Sequence, residues 1–346
     1  MKRISIIIFL FLTCCKDDYK PREINTINIQ EFKIDSTSIR AITAIDAHKV
    51  IYAGSNGDVG FFSDREKNTA APIKITYQDS IHPNFRSIAS NSKAIFTLSI
   101  SNPALLYRIF NGKFELKYTE NHEKVFYDSM HFFDDNLHGI AVGDPTQDCA
   151  SIILTSDGGN TWNKIPCSKL PKFEENEAFF AASNTNIKTI GSSVWIGSGG
   201  KKARILKSDD FGDTWQIFET PIIQGEGPQG IYSIDFADEN NGIAIGGDYS
   251  KPEENIRNKA ITSDGGKTWL IVADGQNPNY KSCVQYVPNT NGKEVFAAGV
   301  TGISFSNNGG ITWKEVSKEP YYSIQFVDRN TAWLSGNNKL GKLVLK

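Results

Sequence analysis

Thr155-Ser156-Asp157-Gly158-Gly159-Asn160-Thr161-Trp162 is the stretch on which the fold turns, because versions of it return three more times. Ser208 to Trp215 keeps Ser208, Asp210, Gly212, Thr214 and Trp215, and Thr262 to Trp269 keeps Thr262, Asp264, Gly266, Thr268 and Trp269. Ser306 to Trp313 keeps Ser306, Gly310, Thr312 and Trp313, with Asn308 in place of the acid. The pattern Ser/Thr-x-Asp-x-Gly-x-Thr-Trp describes a turn between two strands. The carboxylate accepts from nearby backbone N–H groups, the glycine takes positive φ, and Thr-Trp restarts an extended strand. An asparagine oxygen can accept the same bonds, so the fourth turn is expected to survive.

These residues resemble the Asp-box, or BNR, repeat of β-propeller proteins, in which the box is a structural device on the outer part of a blade. The resemblance implies that Asp157, Asp210, Asp264 and Asn308 are turn-makers rather than catalysts or metal ligands. The box tryptophans stand at 162, 215, 269 and 313, in steps of 53, 54 and 44 residues. A period near about 40 to 50 residues is the signature of four-stranded blades.

At 346 residues the chain could hold two average domains, but repeats favour one closed ring. Hydrophobic residues at 39%, aromatics at 11% and 29 glycines suit many short strands joined by tight turns. A formal charge of −2 gives no electrostatic case for nucleic acid. Met1-Lys2-Arg3 and the apolar run Ile4 to Leu12 read as a secretion signal, too short to span a bilayer as a folded helix. Leu12-Thr13-Cys14-Cys15 resembles a bacterial lipobox, with Cys15, or else Cys14, as the lipidated residue. The first division is therefore a lipoprotein signal over 1–15. A charged, flexible tether over 16–23 follows, and then a propeller over 24–346. Lys16-Asp17-Asp18 resembles export signals of surface lipoproteins in Bacteroidetes-type bacteria. The protein is accordingly expected to be secreted and lipid-anchored, at the outer membrane or cell surface, and monomeric.

Beyond the tether, a short strand with a central Ser or Ala followed by an apolar strand recurs seven times. The first strands lie at 38–42, 86–89, 128–132, 179–183, 232–236, 282–286 and 322–326; the second strands usually end in glycine, as at Gly54, Gly143, Gly197, Gly246 and Gly299. Small residues suit a crowded axis, and apolar runs suit burial on both faces. The expectation is all-β: a seven-bladed β-propeller of four-stranded blades. The last repeat has only three strands before the C-terminus, so an N-terminal strand near 24–34 is expected to complete it and leave no open edge.

Cys149 and Cys167 fall opposite each other if Thr155 pairs with Thr161, which makes a disulfide between them possible in an oxidising compartment. No Cys-x-x-Cys or His-x-x-x-His spacing suggests a metal, and His131 reads as an inner-strand residue. Gly266-Lys267-Thr268 lacks the first glycine of a phosphate loop, which would fall at Ile261. Gly197-Ser198-Gly199-Gly200-Lys201 runs into a strand, not a helix, so no nucleotide or other cofactor is expected. Sialidases share the box, yet their Arg-Ile-Pro segment is absent; the nearest string, Lys164-Ile165-Pro166, follows the first box. Asp144 and Asp248, in matching loops, are the carboxylates that a glycan-cleaving hydrolase could use.

Over roughly 38–346 the chain resembles the photosystem II stability and assembly factor family and its bacterial relatives. The resemblance rests on Gly139 to Pro145, Ala178 to Ser183, and Gly230 to Ile234 leading to Gly246 to Pro252. It implies a propeller that serves as a binding scaffold. Loops entering each first strand and joining second to third strands share one face in a propeller. Arg40, Arg86, Asp128, Asp144, Glu177, Glu226, Asp248, Tyr249 and Lys251 are placed there, around the channel mouth. Such a set could hold a protein, peptide or glycan ligand. Two functions stand: a non-catalytic, lipid-anchored binding or assembly scaffold at the cell envelope, and a glycan-cleaving hydrolase.

Overall fold

The computed structural model describes residues 19–66 and 71–345. The signal segment, Cys14 and Cys15, and the first part of the tether lie outside the described residues. Strands pair antiparallel throughout, and among the described residues the one helical element is the 3-10 turn Cys167–Lys169. No helix among them is long and apolar enough to cross a membrane.

The strands form a β-propeller, but the expectation of seven blades is corrected: hydrogen bonding gives six sheets. The merger has a simple cause. Ile29–Asp46 is one uninterrupted strand of 18 residues. Its first part pairs with Thr331–Val344, in a register from Ile29 opposite Leu343 to Lys33 opposite Lys339, and its second part pairs with Lys49–Gly54. The first and last repeats are thereby joined into one six-stranded sheet. The register shifts between Lys33 and Ser38, where Ser36 takes positive φ. The second sheet runs from Phe85–Ser90 to Lys113–Glu120, and its outer hairpin turns at Asn111-Gly112, both at positive φ.

A second correction concerns residues 179–183, read from sequence as an inner strand. They carry no strand. The inner strand of the fourth sheet is Ile187–Ile190, while Glu177–Ala178 pairs away with Gly199–Gly200 and so joins the fifth sheet. The residues between them cross the axis.

Apolar side chains from facing sheets fill the gaps between neighbours and close the circle. Ile140 and Val142 meet Ile187 and Val194, and Ile243 and Ile245 meet Val284 and Val295. Phe296 and Ile303 meet Ile324 and Leu334. Each inter-sheet layer is a small core of its own, which is why the second strands read as unbroken apolar runs. Trp195 and Trp333 are fully buried, each with its indole N–H on a backbone carbonyl, of Gly265 at 2.8 Å and of Asp46 at 2.9 Å.

The recurrent turns pin the rim. In the third copy Asp264 accepts from the Thr262 hydroxyl at 2.8 Å, the Thr268 N–H at 2.9 Å and the Thr268 hydroxyl at 2.6 Å. The glycine two residues on has φ +83°, a left-handed value that favours glycine. Asp157 and Asp210 repeat the arrangement, and Asn308 keeps it through its amide. Desolvation opposes ionisation of Asp264, but these bonds outweigh it and hold the carboxyl at about 2.

Cys149 and Cys167 are joined in a disulfide, with Cα atoms 5.6 Å apart. The register beneath it differs from the expected one: Leu154 faces Asn163 and Ile153 faces Lys164. The bridge forms because the chain leaves the sheet after Ile165, whose N–H still donates to the Ile152 carbonyl at 2.8 Å, and turns through Cys167–Lys169, which brings Cys167 over Cys149.

Candidate functional site

Four inner strands carry the same irregularity, and it places the site. Ile39 faces Gly54 while Ala41 faces Ala53, so Arg40 is skipped; Phe85 and Ser87 likewise skip Arg86. Tyr127 and Ser129 skip Asp128, and Ile231 and Ser233 skip Tyr232. These are β-bulges, each at the mouth end of its strand. A bulge re-aims the extra side chain out of the alternating pattern, here toward the axis. In three of the four the residue opposite is glycine, and at two of these the close approach requires it: a Cβ on Gly246 would run into the Gly230 carbonyl, and one on Gly143 into that of Phe126.

Residues 180–185 cross the axial channel below this ring and tie it together. The Arg40 and Arg86 guanidiniums donate to the carbonyls of Ala182 and Ala181 at 3.4 and 3.5 Å. The Asn184 amide donates to Ile88 O at 2.8 Å and its oxygen accepts from Met130 N–H at 2.9 Å, as an added strand would. Ser183 donates to Ser282 O at 2.6 Å, and Thr185 bonds Ser233 at 2.7 Å. The crossing divides the axis in two. Beneath it lies a small polar cavity of ≈ 120 Å³ lined by His131, Lys188 and Asp235, the last two ion-paired at 2.6 Å. Burial, with Lys188 beside it, lowers His131 to about 4, so the ring is neutral at ordinary pH.

Above the crossing opens a cavity of ≈ 520 Å³. One wall is basic, from Arg40 and Arg86; the other is aromatic, from Phe180, Tyr232, Tyr249 and Tyr280. Phe180 stacks on Tyr232 with centroids 3.9 Å apart, and Tyr280 meets Tyr232 edge-on at 4.8 Å. Tyr249 stands 58% exposed at the rim, a surface for a ligand to cover.

Among the described residues neither Arg40 nor Arg86 forms an ion pair; Arg40 lies over the Tyr322 ring at 3.9 Å. The nearest acid does not neutralise them. Asp128 is fully buried, and neither carboxylate oxygen makes a well-formed hydrogen bond. Burial first, and Asp144 second, push its pKa well above the usual carboxylate range, against a smaller pull from Arg86 and from the N–H groups of Ala181 and Asp144. Burial also raises Asp144 to about 6, partly offset by the Phe179 N–H, which donates to it at 2.7 Å. Burial and Arg40 together lower Arg86. Burial disfavours the charged form of both Asp128 and Asp144, so the two guanidiniums dominate the electrostatics of the cavity.

Of the residues expected at the mouth, Arg40, Arg86, Asp144 and Tyr249 line this cavity, and Asp128 lies behind Arg86. Glu177 does not: it is buried against Arg204, Ser198 and the Glu174 N–H, holding its own loop. Asp248 caps its own turn, accepting from the Ser250 N–H at 2.9 Å and hydroxyl at 2.6 Å. Despite desolvation those bonds lower its pKa. Glu226 is exposed beside Gly227, and Lys251 pairs with Glu254 at 3.7 Å on the outer loop. The candidate pair Asp144 and Asp248 therefore does not share the cavity. Phe126, Phe180, Tyr232 and Tyr280 were not foreseen. For Tyr232 the usable signal was Gly246 at the end of the second strand, which faces the bulge that aims this side chain inward. Among the described residues no cluster of three His, Cys, Asp or Glu side chains could hold a metal.

No protein-family model and no curated protein matches the chain. Solved structures do. "YCF48 bound to D1 peptide" superposes with a TM-score of 0.65 at 13% identity, covering 94% of this chain and 100% of that one. "Crystal structure of RRP9 WD40 repeats" gives 0.65 at 11% over 94% and 100%. "YCF48 from Cyanidioschyzon merolae" gives 0.59 at 12% over 92% and 98%. At such identities the likeness speaks for architecture: the chain is a β-propeller similar to these YCF48 and WD40 propellers.

Proposed function

We propose that this protein is a non-catalytic binding scaffold whose axial cavity takes an acidic peptide segment bearing an aromatic residue. We further propose that it works lipid-anchored through Cys15 at the cell envelope. The observation that carries the binding reading is the pair of guanidiniums, Arg40 and Arg86, left without carboxylate partners beside a wall of stacked aromatics. Arginine forks suit carboxylates, and aromatic faces suit a ring or an apolar stem. The neighbour solved with D1 peptide supports the class of ligand, since a propeller of this shape there carries a peptide. Hydrolysis has less support, because Asp144 has no second carboxylate across the cavity: Asp128 is sealed behind Arg86 and Asp248 is committed to its turn.

The test is a fluorescence-polarisation titration of a synthetic array of 12-residue peptides combining Asp, Glu and Tyr, against the same peptides with amide side chains. Acidic members should bind and the amide series should not. Charge-assisted hydrogen bonds contribute roughly 1.5–3 kcal/mol each. The Arg40→Ala, Arg86→Ala double substitution should therefore weaken binding at least about a hundredfold. Equal binding of both series, or an unchanged double variant, would overturn the reading. Turnover on a glycan panel that is lost in Asp144→Ala would replace it with the hydrolase.

A further inference from the structure

The N-terminal segment, expected as a tether, is held. Glu294 has a fully buried side chain just before Val295–Gly299, and among the described residues every hydrogen bond to that side chain comes from Tyr19 or Arg22. The Arg22 N–H donates to it at 2.8 Å, Arg22 Nε at 2.8 Å and Arg22 Nη2 at 2.5 Å, and the Tyr19 hydroxyl completes the set. Desolvation alone would raise Glu294, but these donors outweigh it and lower its pKa. Arg22 also reaches the Arg329 carbonyl at 2.7 Å and Asn330 at 3.0 Å, and the Arg329 guanidinium lies over Tyr19 at 4.7 Å. Asn307, in the fourth recurrent turn, donates to Glu23 at 2.8 Å, and Lys314 reaches Asn25.

All these partners share one end of the barrel-like stack. Glu294 and Asn330 precede second strands, and Asn307 follows a third strand. The cavity is at the other end: Asp144, Tyr249 and Val300 follow second strands, and Arg40 and Arg86 sit at bulges that face the last residues of second strands, Gly54 and Ser99. Chain length then limits what precedes the clasp. Cys15 is four residues from Tyr19, a span of at most about 14 Å at roughly 3.5 Å per residue.

We propose that the Glu294 clasp is a docking site for the chain's own N-terminal segment that sets orientation at a membrane. A lipid on Cys15 holds the clasp face against the bilayer and turns the Arg40–Arg86 cavity away from it. The proposal rests on the anchoring reading above, and its test separates the two. The full-length lipoprotein is reconstituted into phosphatidylethanolamine–phosphatidylglycerol vesicles carrying a headgroup-bound nitroxide quencher. A fluorophore sits either at Lys293→Cys, beside the clasp, or at Lys251→Cys, on the cavity face; both positions are exposed, and the free Cys283 is buried. Quenching should be at least threefold stronger at position 293. The bias should disappear in Arg22→Ala and in Arg22→Ala/Glu294→Gln, the second of which leaves no unpaired buried charge. Equal quenching at both positions on vesicle-bound protein would overturn the orientation. Failure to float with the vesicles would overturn the anchoring. The clasp is then judged alone, by amide hydrogen exchange over residues 19–25 in detergent. Protection at least tenfold above the Arg22→Ala variant sustains it, and exchange equal to that variant removes it.

Discussion

Asp144→Asn should gain stability relative to wild type as the pH rises from acid to neutral. The native pKa, about 6, lies above the ordinary 3.8, because burial disfavours the carboxylate. The native state thus holds the proton more tightly than the unfolded chain. The stability this provides is complete below pH 3.8 and is lost as pH rises to about 6. At about 1.36 kcal/mol per pH unit the loss is about 3 kcal/mol by pH 7. Asparagine mimics the protonated form, and its Oδ1 can still accept from the Phe179 N–H. Any cost of placing the amide is the same at every pH, so the quantity to measure is the difference between two pH values. Urea unfolding of both proteins at pH 4 and pH 7.5 should show the variant gaining about 2–3 kcal/mol relative to wild type between them. A gap that does not change with pH would refute the burial of Asp144, and with it the low-dielectric surroundings that oppose ionisation of Asp128.

Three further outcomes are expected. Asp264→Ala removes the rim bonds from Thr262 and Thr268 and should cost about 1–2 kcal/mol by calorimetry at pH 7. Because the native pKa is depressed, the deficit should shrink as pH falls from 3.8 toward 2, while Asp264→Asn should keep most of the stability, as Asn308 does. Opening the Cys149–Cys167 bridge, by reduction or in Cys149→Ser/Cys167→Ser, releases a loop with a sequence separation of 18 and should cost about 3 kcal/mol in urea unfolding. Asn184→Ala strips the axial crossing of its bonds to Ile88 and Met130; a loss of about 2–3 kcal/mol, with faster amide exchange at Met130, would be read by hydrogen exchange.

The rim was legible because its turns are local. Thr262, Asp264, Gly266 and Thr268 satisfy one another within seven residues, so their spacing alone describes the geometry. The second strands were legible as apolar runs, and Arg40 and Arg86 stood out as charges at the heads of inner strands. What escaped depends on distant pairing. Phe179 to Ser183 has the composition of an inner strand, yet its neighbours Asn184 and Thr185 find partners on other sheets across the axis, and no local pattern reveals that. The blade count failed for a related reason: the strand Ile29–Asp46 pairs at one end with residues about three hundred positions away, and only pairing shows that it runs unbroken through two repeats. Glu177 and Asp248 illustrate a third case, in which a polar residue on the right face is claimed by its own loop.

That long strand also sets an order of events during synthesis. Ile29 to Lys33 leave the ribosome about three hundred residues before their partners Lys339 to Leu343. Through almost all of translation this segment is a bare template, with Phe32 and Ile34 uncovered and able to pair with another nascent chain. Assembly of the toroid is thus a late and nearly all-or-none act, and a truncated product lacking even the final dozen residues would keep that template exposed.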